Sequence, residues 1–167
     1  MAIGLARSGG APGPVVATIG DSTFLHGGIP ALADAVYNGV DLEHFHPRLA
    51  EVHRGSMRRS LGIGEHERLV LFVGNGFQRK GLPQLLRALA LLPTHVHLAV
   101  VGEDRARAPL ESLSGRLGLD RRVHWIGGQG DVRPWYAAGD VLALPTLYDP
   151  FPNVVLESLA CGLPDRK

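Results

Sequence analysis

The sequence has few of the features that direct a protein to a membrane, a secretory compartment or a nucleic acid. It contains one cysteine, Cys161, in 167 residues, so no disulfide can form within the chain, as is usual in a reducing cytosol. No apolar run approaches the ~20 residues of a membrane span, and a signal-peptide pattern is lacking. The formal net charge of +1 gives no preference for nucleic acid. We therefore expect a cytoplasmic protein whose partners must be inferred from local sites.

The remaining composition is that of an ordinary globular domain, with 45% hydrophobic and 20% charged residues. From Leu69 onward, short apolar runs alternate with amphipathic stretches, which is typical of an α/β fold with a parallel sheet. The pattern predicts strands at 69–73, 96–101, 123–126 and 141–144, and helices at 81–92, 108–117, 131–136 and 153–160. Ligand sites in such a sheet lie beyond the carboxyl ends of the strands. We expect the strands beginning at Leu69 and Val141 to be central neighbours.

The first forty residues form a separate pattern. Val15–Ile19 is predicted to be a strand, Gly20–Ser22 a turn, and Ile29–Tyr37 an apolar helix. The predicted fold class is therefore α/β, with a Rossmann-like parallel sheet flanked by helices and an appended N-terminal βα unit.

A glycine turn followed by two cations is the first candidate site. Gly74 and Gly76 end a predicted strand and would let backbone approach a phosphate, while Arg79 and Lys80 add positive charge at its rim. The alternative is an ordinary turn with a solvated Arg-Lys pair at a helix start. Positive charge is disfavoured at a helix N-terminus, which favours the functional interpretation.

Two carboxylates on either side of a predicted helix start form the second candidate site. Asp149 lies in the loop after the last strand, and Glu157 lies in the first turns of the next helix. The backbone N–H groups of Asn153, Val154 and Val155, which lie between the two carboxylates in sequence, could donate hydrogen bonds to a phosphate. The alternative for Glu157 is an acid placed near the helix N-terminus for stability alone.

Three segments in the same order and spacing resemble the C-terminal domain of family-four retaining glycosyltransferases with the GT-B fold. They are residues 36–47 (VYNGVDLEHFHP), residues 72–82 (FVGNGFQRKGL) and residues 148–164. The resemblance is to the lipopolysaccharide-core glucosyltransferase type. It implies that Lys80 and Arg79 bind the donor diphosphate, that Glu157 binds the ribose, and that Asp149 meets the transferred sugar, where the family usually has Glu.

The same resemblance implies that the backbone at Gly127 contacts the base of the donor. With Gly127 added, the set of predicted site residues is complete. The catalytic candidates are Asp149 and Glu157. The donor-binding candidates are Gly74, Gly76, Arg79, Lys80, Gly127, Phe151, Asn153, Val154, Val155 and Glu157. No cofactor or metal is expected, and the expected substrate is a nucleotide-diphosphate sugar such as UDP-glucose. The implied acceptor is a glycan or glycolipid, as in lipopolysaccharide biosynthesis, with at most peripheral membrane association. An N-terminal acceptor domain is expected to be missing and residues 40–164 to be incomplete, so this chain is expected to be inactive alone.

Residues 1–39 resemble a different family, the thiamine-diphosphate-binding region of the indolepyruvate ferredoxin oxidoreductase large subunit. In that family, Asp21 would bind the Mg²⁺ of the cofactor, but no downstream Asn completes the site here. Both families have Tyr37-Asn-Gly39, which predicts a chimera joined there, with 165–167 as a tail. The alternative functions are an inactive folded chimera or a fragment of a thiamine-diphosphate-dependent 2-oxoacid oxidoreductase.

Other residues support weaker hypotheses. The histidines at positions 44, 46, 53, 95 and 97 lack matching ligands at metal spacing. Trp125 and Trp135 are more typical of core residues than of ligand-binding residues. The Arg-rich flank has no interleaved aromatics, which favours a solvated surface over a nucleic-acid site.

Overall fold

The structure is a computed structural model that describes residues 2–6, 15–19, 39–147, 149, 152–163 and 165–166. Near the N-terminus, strands β1 (Ala2–Ala6) and β2 (Val15–Ile19) pair antiparallel. The sequence predicted the strand β2 but not its antiparallel partner β1. The helix predicted at 29–37 lies outside the described residues, as does Asp21.

A parallel sheet forms the centre of the rest of the chain, with strand order β5-β4-β3-β6-β7. Its strands are β3 (Arg68–Val73), β4 (Val96–Val101), β5 (Val123–Gly127), β6 (Val141–Ala143) and the two-residue β7 (Asp165–Arg166). Strand β3 pairs with β6 through Val70 with Val141 and Leu71 with Leu142. The predicted adjacency of these two strands is confirmed. Asp165–Arg166, predicted to be a tail, pairs with Leu142 and Ala143.

Helices cover this sheet. They are α1 (Leu49–Ser60), α2 (Leu82–Ala90), α3 (Arg107–Arg116), α4 (Arg133–Ala138) and α5 (Asn153–Ala160). The α/β class with helices flanking a parallel sheet is confirmed. Helix α1 was not predicted, because it buries only Leu49 and Arg58 and so lacks an apolar stripe. No helix in the described part of the chain is long and apolar enough to cross a membrane.

The core lies between the sheet and its helices. Every residue of β3 from Leu69 to Val73 is buried, as expected for a central strand covered on both faces. Helix α2 packs with Leu82, Leu86 and Leu89 inward. Leu92, which the helical pattern placed on the same stripe, lies beyond the helix end and is exposed.

An ion cluster around Asp140 ties α1 to the amino edge of the sheet. The Asp140 carboxylate accepts a hydrogen bond from the Leu69 N–H at 2.7 Å and contacts both Arg54 and Arg58, the latter at 3.0 Å. The buried Arg58 guanidinium also donates to the carbonyls of Gly64 and Glu67. Burial opposes ionisation of Asp140, but the Leu69 N–H and the two arginines outweigh it and hold its pKa below the usual value. This cluster fixes the end of the sheet opposite the predicted site.

Candidate functional site

The carboxyl edge of the sheet is built from glycine turns that pack directly on one another. The Gly74 N–H donates to Val101 O at 2.8 Å, and the Gly102 N–H donates to Gly127 O at 2.9 Å. A Cβ at Gly102, where φ is 141°, would lie 2.4 Å from Gly74 O. The three strand ends are therefore held in a fixed arrangement at the edge where parallel sheets bind ligands.

The turn after β3 folds the Lys80 side chain back over Gly74. A Cβ at Gly74 would lie 2.9 Å from Lys80 Cε, so a side chain at this position would displace the lysine. Asp104 holds the same turn, because its carboxylate accepts hydrogen bonds from the Phe77 N–H at 3.0 Å and the Ala106 N–H at 2.7 Å. The hydrogen bond from the Ala106 N–H is the main cause that lowers the pKa of Asp104. The Phe77 N–H lowers the pKa further, whereas burial opposes both. Lys80 is consequently buried, at 8% exposure.

Asp149 is the partner of both predicted cations. Lys80 Nζ lies 2.5 Å from Asp149 Oδ2, and Arg79 Nη1 lies 3.4 Å from the same oxygen. The sequence assigned the cations to a diphosphate and the carboxylate to a sugar, and did not predict that they pair. A diphosphate offers the same kind of charged acceptor oxygens as the Asp149 carboxylate.

The backbone of the loop after β6 is hydrogen-bonded to the turn after β3. The Leu147 N–H donates to Arg79 O at 3.0 Å. Gly81, with φ of 77°, lies so close to this loop that a Cβ there would sit 1.9 Å from Pro145 O. These contacts bring the two predicted motifs together, although they are far apart in sequence.

Helix α5 begins next to this loop. Its N-cap is Pro152, and no side chain caps the N-terminus. Asn153 is exposed, Val154 is half-buried and Val155 is buried. The Val155 N–H, which the sequence predicted to be open to a phosphate, donates instead to Pro152 O at 3.0 Å. Phe151, the other donor-binding candidate in this segment, lies outside the described residues.

Glu157, on the second turn of α5, makes a hydrogen bond that the sequence did not predict. The Tyr136 hydroxyl, on α4, donates to Glu157 Oε2 at 2.7 Å. Tyr136 is fully buried, and burial together with the Glu157 charge raises the pKa of its phenol far above the usual value. The sequence placed Tyr136 at the end of a short helix without a functional role.

Gly127 lies at an irregularity in the sheet. The pairing of β4 with β5 shifts between Val100 and Val101, so that Val101 pairs with Gly127. A Cβ at Gly127 would lie 3.5 Å from Arg107 Nη1 and 3.9 Å from Glu103 Oε1. The position that the sequence assigned to the donor base therefore has a cation and a carboxylate beside it, neither of which was predicted.

At the opposite edge of the sheet, His97 hydrogen bonds with both Glu67, at 3.1 Å, and His124, at 3.2 Å. Burial and the neighbouring His97 lower the pKa of His124. Within the described ranges, no group of three or more His, Cys, Asp or Glu side chains could hold a metal ion.

The fold and site define a protein of the α/β class, with a parallel sheet whose carboxyl edge, the usual ligand-binding edge, has cations and a helix start. Comparison with known proteins identifies the family: residues 53–164 match Glycosyl transferases group 1, and the chain belongs to it. Lipopolysaccharide glucosyltransferase WaaG of Escherichia coli (strain K12) is 39% identical over 111 residues, covering 64% of this chain and 29% of that protein. The chain spans about a third of the length of the curated relatives it matches.

Solved structures agree with this assignment. Anabaena Alr3699/HepE, crystallised with UDP and glucose, has a TM-score of 0.66 and 27% identity, covering 76% of this chain and 35% of that one. The C-terminal domain of a group 1 glycosyl transferase, LpcC of Francisella tularensis, has a TM-score of 0.64 at 22% identity, covering 76% of this chain and 69% of that one, and shows the shared fold. The predicted GT-B C-terminal fold is confirmed. Nothing in the comparisons supports the resemblance of residues 1–39 to the thiamine-diphosphate enzyme.

Proposed function

We propose that this chain binds a nucleotide-diphosphate sugar as the donor of a retaining glycosyl transfer, with UDP-glucose as the first candidate. The observation that carries the proposal is the cluster of Lys80, Arg79 and Asp149 at the carboxyl edge of the sheet. HepE, a structural relative, is described in complex with UDP-glucose, at 27% identity. Family membership supports the reaction class, and the cluster supplies the charge that the reaction needs.

The diphosphate fits the cluster on physical grounds. A buried lysine needs an anionic partner, and Asp149 fills that role in this structure. A donor diphosphate reaching Lys80 would take over the pairing, while the uncapped start of α5 offers N–H groups and the positive end of its dipole. The same groups would stabilise the charge that develops on the leaving diphosphate as the glycosidic bond breaks.

The remaining contacts of the donor follow the order of the loops. Glu157 would accept hydrogen bonds from the ribose hydroxyls, and the corner at Gly127 would hold the base. Asp149, once released from Lys80, would accept hydrogen bonds from the hydroxyls of the transferred sugar. These roles stay predictions, as does that of Phe151.

The acceptor and its position belong to the proposal as well. A glycan or glycolipid acceptor, as in lipopolysaccharide biosynthesis, would be held against the donor by a second domain of the GT-B fold. Positioning of this kind is worth about 7–11 kcal/mol of barrier. A polypeptide of residues 1–167 is therefore expected to bind donor and to transfer no sugar, and its cytoplasmic location stays a prediction.

A calorimetric titration tests the proposal. UDP, UDP-glucose and GDP would be titrated into wild type, Lys80→Ala and Glu157→Ala. Loss of one charge-assisted contact costs about 1.5–3 kcal/mol, which corresponds to roughly a 10- to 150-fold weaker Kd. Arg121→Ala is the matched control, because exposed Arg121 precedes β5 at the opposite edge of the sheet. The control should bind like wild type.

Two results would contradict the proposal. If Lys80→Ala and Glu157→Ala both bind UDP as well as wild type, the site is elsewhere. If residues 1–167 glycosylate any acceptor in a donor-turnover assay, the dependence on a second domain is wrong.

A further inference from the structure

The Tyr136 hydroxyl forms a hydrogen bond with Glu157, one of the residues predicted to bind the nucleotide-sugar donor. Tyr136 is fully buried in the middle of α4, and its hydroxyl donates to Glu157 Oε2 at 2.7 Å. We infer that Tyr136 is a positioning residue, which holds the Glu157 carboxylate in the orientation that accepts the ribose hydroxyls of the donor. This inference rests on the proposed function, because it takes the ribose role of Glu157 from there.

The hydrogen bond leaves Glu157 able to bind a diol. An ionised carboxylate offers about four lone-pair positions on its two oxygens, and the Tyr136 hydroxyl occupies one of them on Oε2. A glutamate side chain has three rotatable bonds, and ordering them before the ligand arrives lowers the entropy cost of binding. Tyr136 thus prepares the carboxylate without competing for all of its acceptor capacity.

Tyr136 is itself held rigidly from several sides. Phe45 packs edge-on against its ring, with centroids 6.1 Å apart. Its neighbours on α4, Trp135 and Ala137, are buried. The carbonyl of Ala138, at the end of the same helix, accepts a hydrogen bond from Arg58 at 3.2 Å. Because the ring is fixed, the hydroxyl can rotate only about its C–O bond. The packing of the core therefore sets the position of the hydroxyl oxygen.

The phenol also stays protonated. Burial and the Glu157 charge raise the pKa of Tyr136 far above its usual value, so the hydroxyl is a hydrogen-bond donor throughout the range in which the protein can be studied. The Tyr136 hydroxyl therefore remains the donor in its hydrogen bond with Glu157.

A purely structural hydrogen bond would have a different consequence. It would add to stability by linking α4 to α5 but would not change which nucleotides bind. Positioning of Glu157 predicts instead that the hydroxyl of Tyr136 contributes to the preference for a nucleotide with intact ribose hydroxyls. The two cases are distinguished by the ratio of the affinity for a nucleotide with ribose hydroxyls to the affinity for one that lacks them.

The test compares UDP with 2′,3′-dideoxy-UDP by titration calorimetry. The variants are Tyr136→Phe, Glu157→Gln and the double variant, with urea unfolding measured for each. Ile63→Val is the matched control, since it removes one buried methylene in the core after α1 and leaves both residues in place. Wild type is expected to prefer UDP. Tyr136→Phe and Glu157→Gln should each reduce that preference about tenfold, and the double variant should reduce it no further than Glu157→Gln.

Each outcome decides a separate point. If Glu157→Gln lowers the preference and Tyr136→Phe lowers only stability, as Ile63→Val does, the positioning inference is overturned and the proposed function stands. If Glu157→Gln leaves the preference unchanged, the ribose role in the proposed function fails, and the inference fails with it. Wild type that does not bind UDP overturns both. A lowered preference in Tyr136→Phe with Ile63→Val unchanged supports positioning.

Discussion

Lys80 and Asp149 form an ion pair across the carboxyl edge of the sheet, with Nζ 2.5 Å from Oδ2 and side chains only 10% and 13% exposed. The two residues lie 69 positions apart in the sequence. Because a buried lysine without a partner is costly, Asp149 stabilises the cation in the absence of a donor. A bound diphosphate must replace Asp149 at Lys80 or share the lysine with it.

Asp149→Asn should therefore separate nucleotide binding from sugar binding. The carboxylate repels an incoming diphosphate and competes with it for Lys80, so its neutralisation should tighten UDP binding about threefold to tenfold, equivalent to roughly 1 kcal/mol. The advantage of UDP-glucose over UDP should disappear, since Asp149 is the proposed partner of the sugar hydroxyls. Calorimetric titration with both ligands measures the two effects.

Asp131→Asn provides the control for this charge change. Asp131 is an exposed carboxylate paired with Arg133 at 2.8 Å, and its removal should leave both affinities within about twofold, as is usual for a surface pair. Weaker UDP binding by Asp149→Asn would show that Asp149 supports the diphosphate and does not compete with it.

Gly81→Ala should destabilise the protein far more than an ordinary glycine substitution at positive φ. A Cβ at Gly81 would lie 1.9 Å from Pro145 O, in addition to the strain of φ 77°. The two loops of the site would have to separate, which we expect to cost about 3 kcal/mol or more. Urea unfolding gives the free energy, and UDP titration of the folded fraction should show weakened binding.

Gly118→Ala is the matched variant, because φ at Gly118 is 70° and nothing lies within 4 Å of the added Cβ. It should cost only the backbone strain of about 1 kcal/mol. Equal losses for the two variants would mean that the contact between Gly81 and Pro145 has no energetic importance.

The Asp140 cluster predicts a loss of stability in acid. The folded-state pKa of Asp140 is lowered, because the Leu69 N–H, Arg54 and Arg58 outweigh burial. A carboxyl with a lowered pKa contributes stability that is complete above its unfolded pKa of about 3.9 and is lost as pH falls through the folded value. Asp140→Asn should cost about 3 kcal/mol near pH 7, since it leaves the buried Arg58 without its counter-charge.

The difference in unfolding free energy between wild type and Asp140→Asn should shrink as pH falls from about 5 into the acid range. Glu111→Gln is the control: Glu111 pairs with Arg107 on the surface, with both side chains about two-fifths exposed, and its effect should stay below about 0.5 kcal/mol. A wild-type advantage that is independent of pH would contradict the role of the Asp140 charge.

Local patterns in the sequence predicted most of the strands and helices. The strand at Val96–Val101 and the helix at Asn153–Ala160 have the predicted bounds, because apolar runs and Gly and Pro signals act over a few residues. Helix α1 was missed since it is polar, and it is held to the sheet by the salt bridges of Arg54 and Arg58 with Asp140. Strand β1 was missed as well, and its pairing with β2 depends on a partner that no local pattern identifies.

The sequence by itself determined the α/β class, the adjacency of β3 and β6, and the residue types that a donor site needs. The class follows from periodicity and the residue types from the chemistry of side chains. The adjacency follows from the expectation that the Lys80 turn and the Glu157 helix share one ligand beyond the carboxyl ends of their strands. The pairing of Lys80 with Asp149 and of Tyr136 with Glu157 was decided only by the tertiary structure. The reason is physical, because the partners lie on separate loops and helices. Which side chains meet depends on how those elements pack on the sheet and on which charged groups are buried away from water.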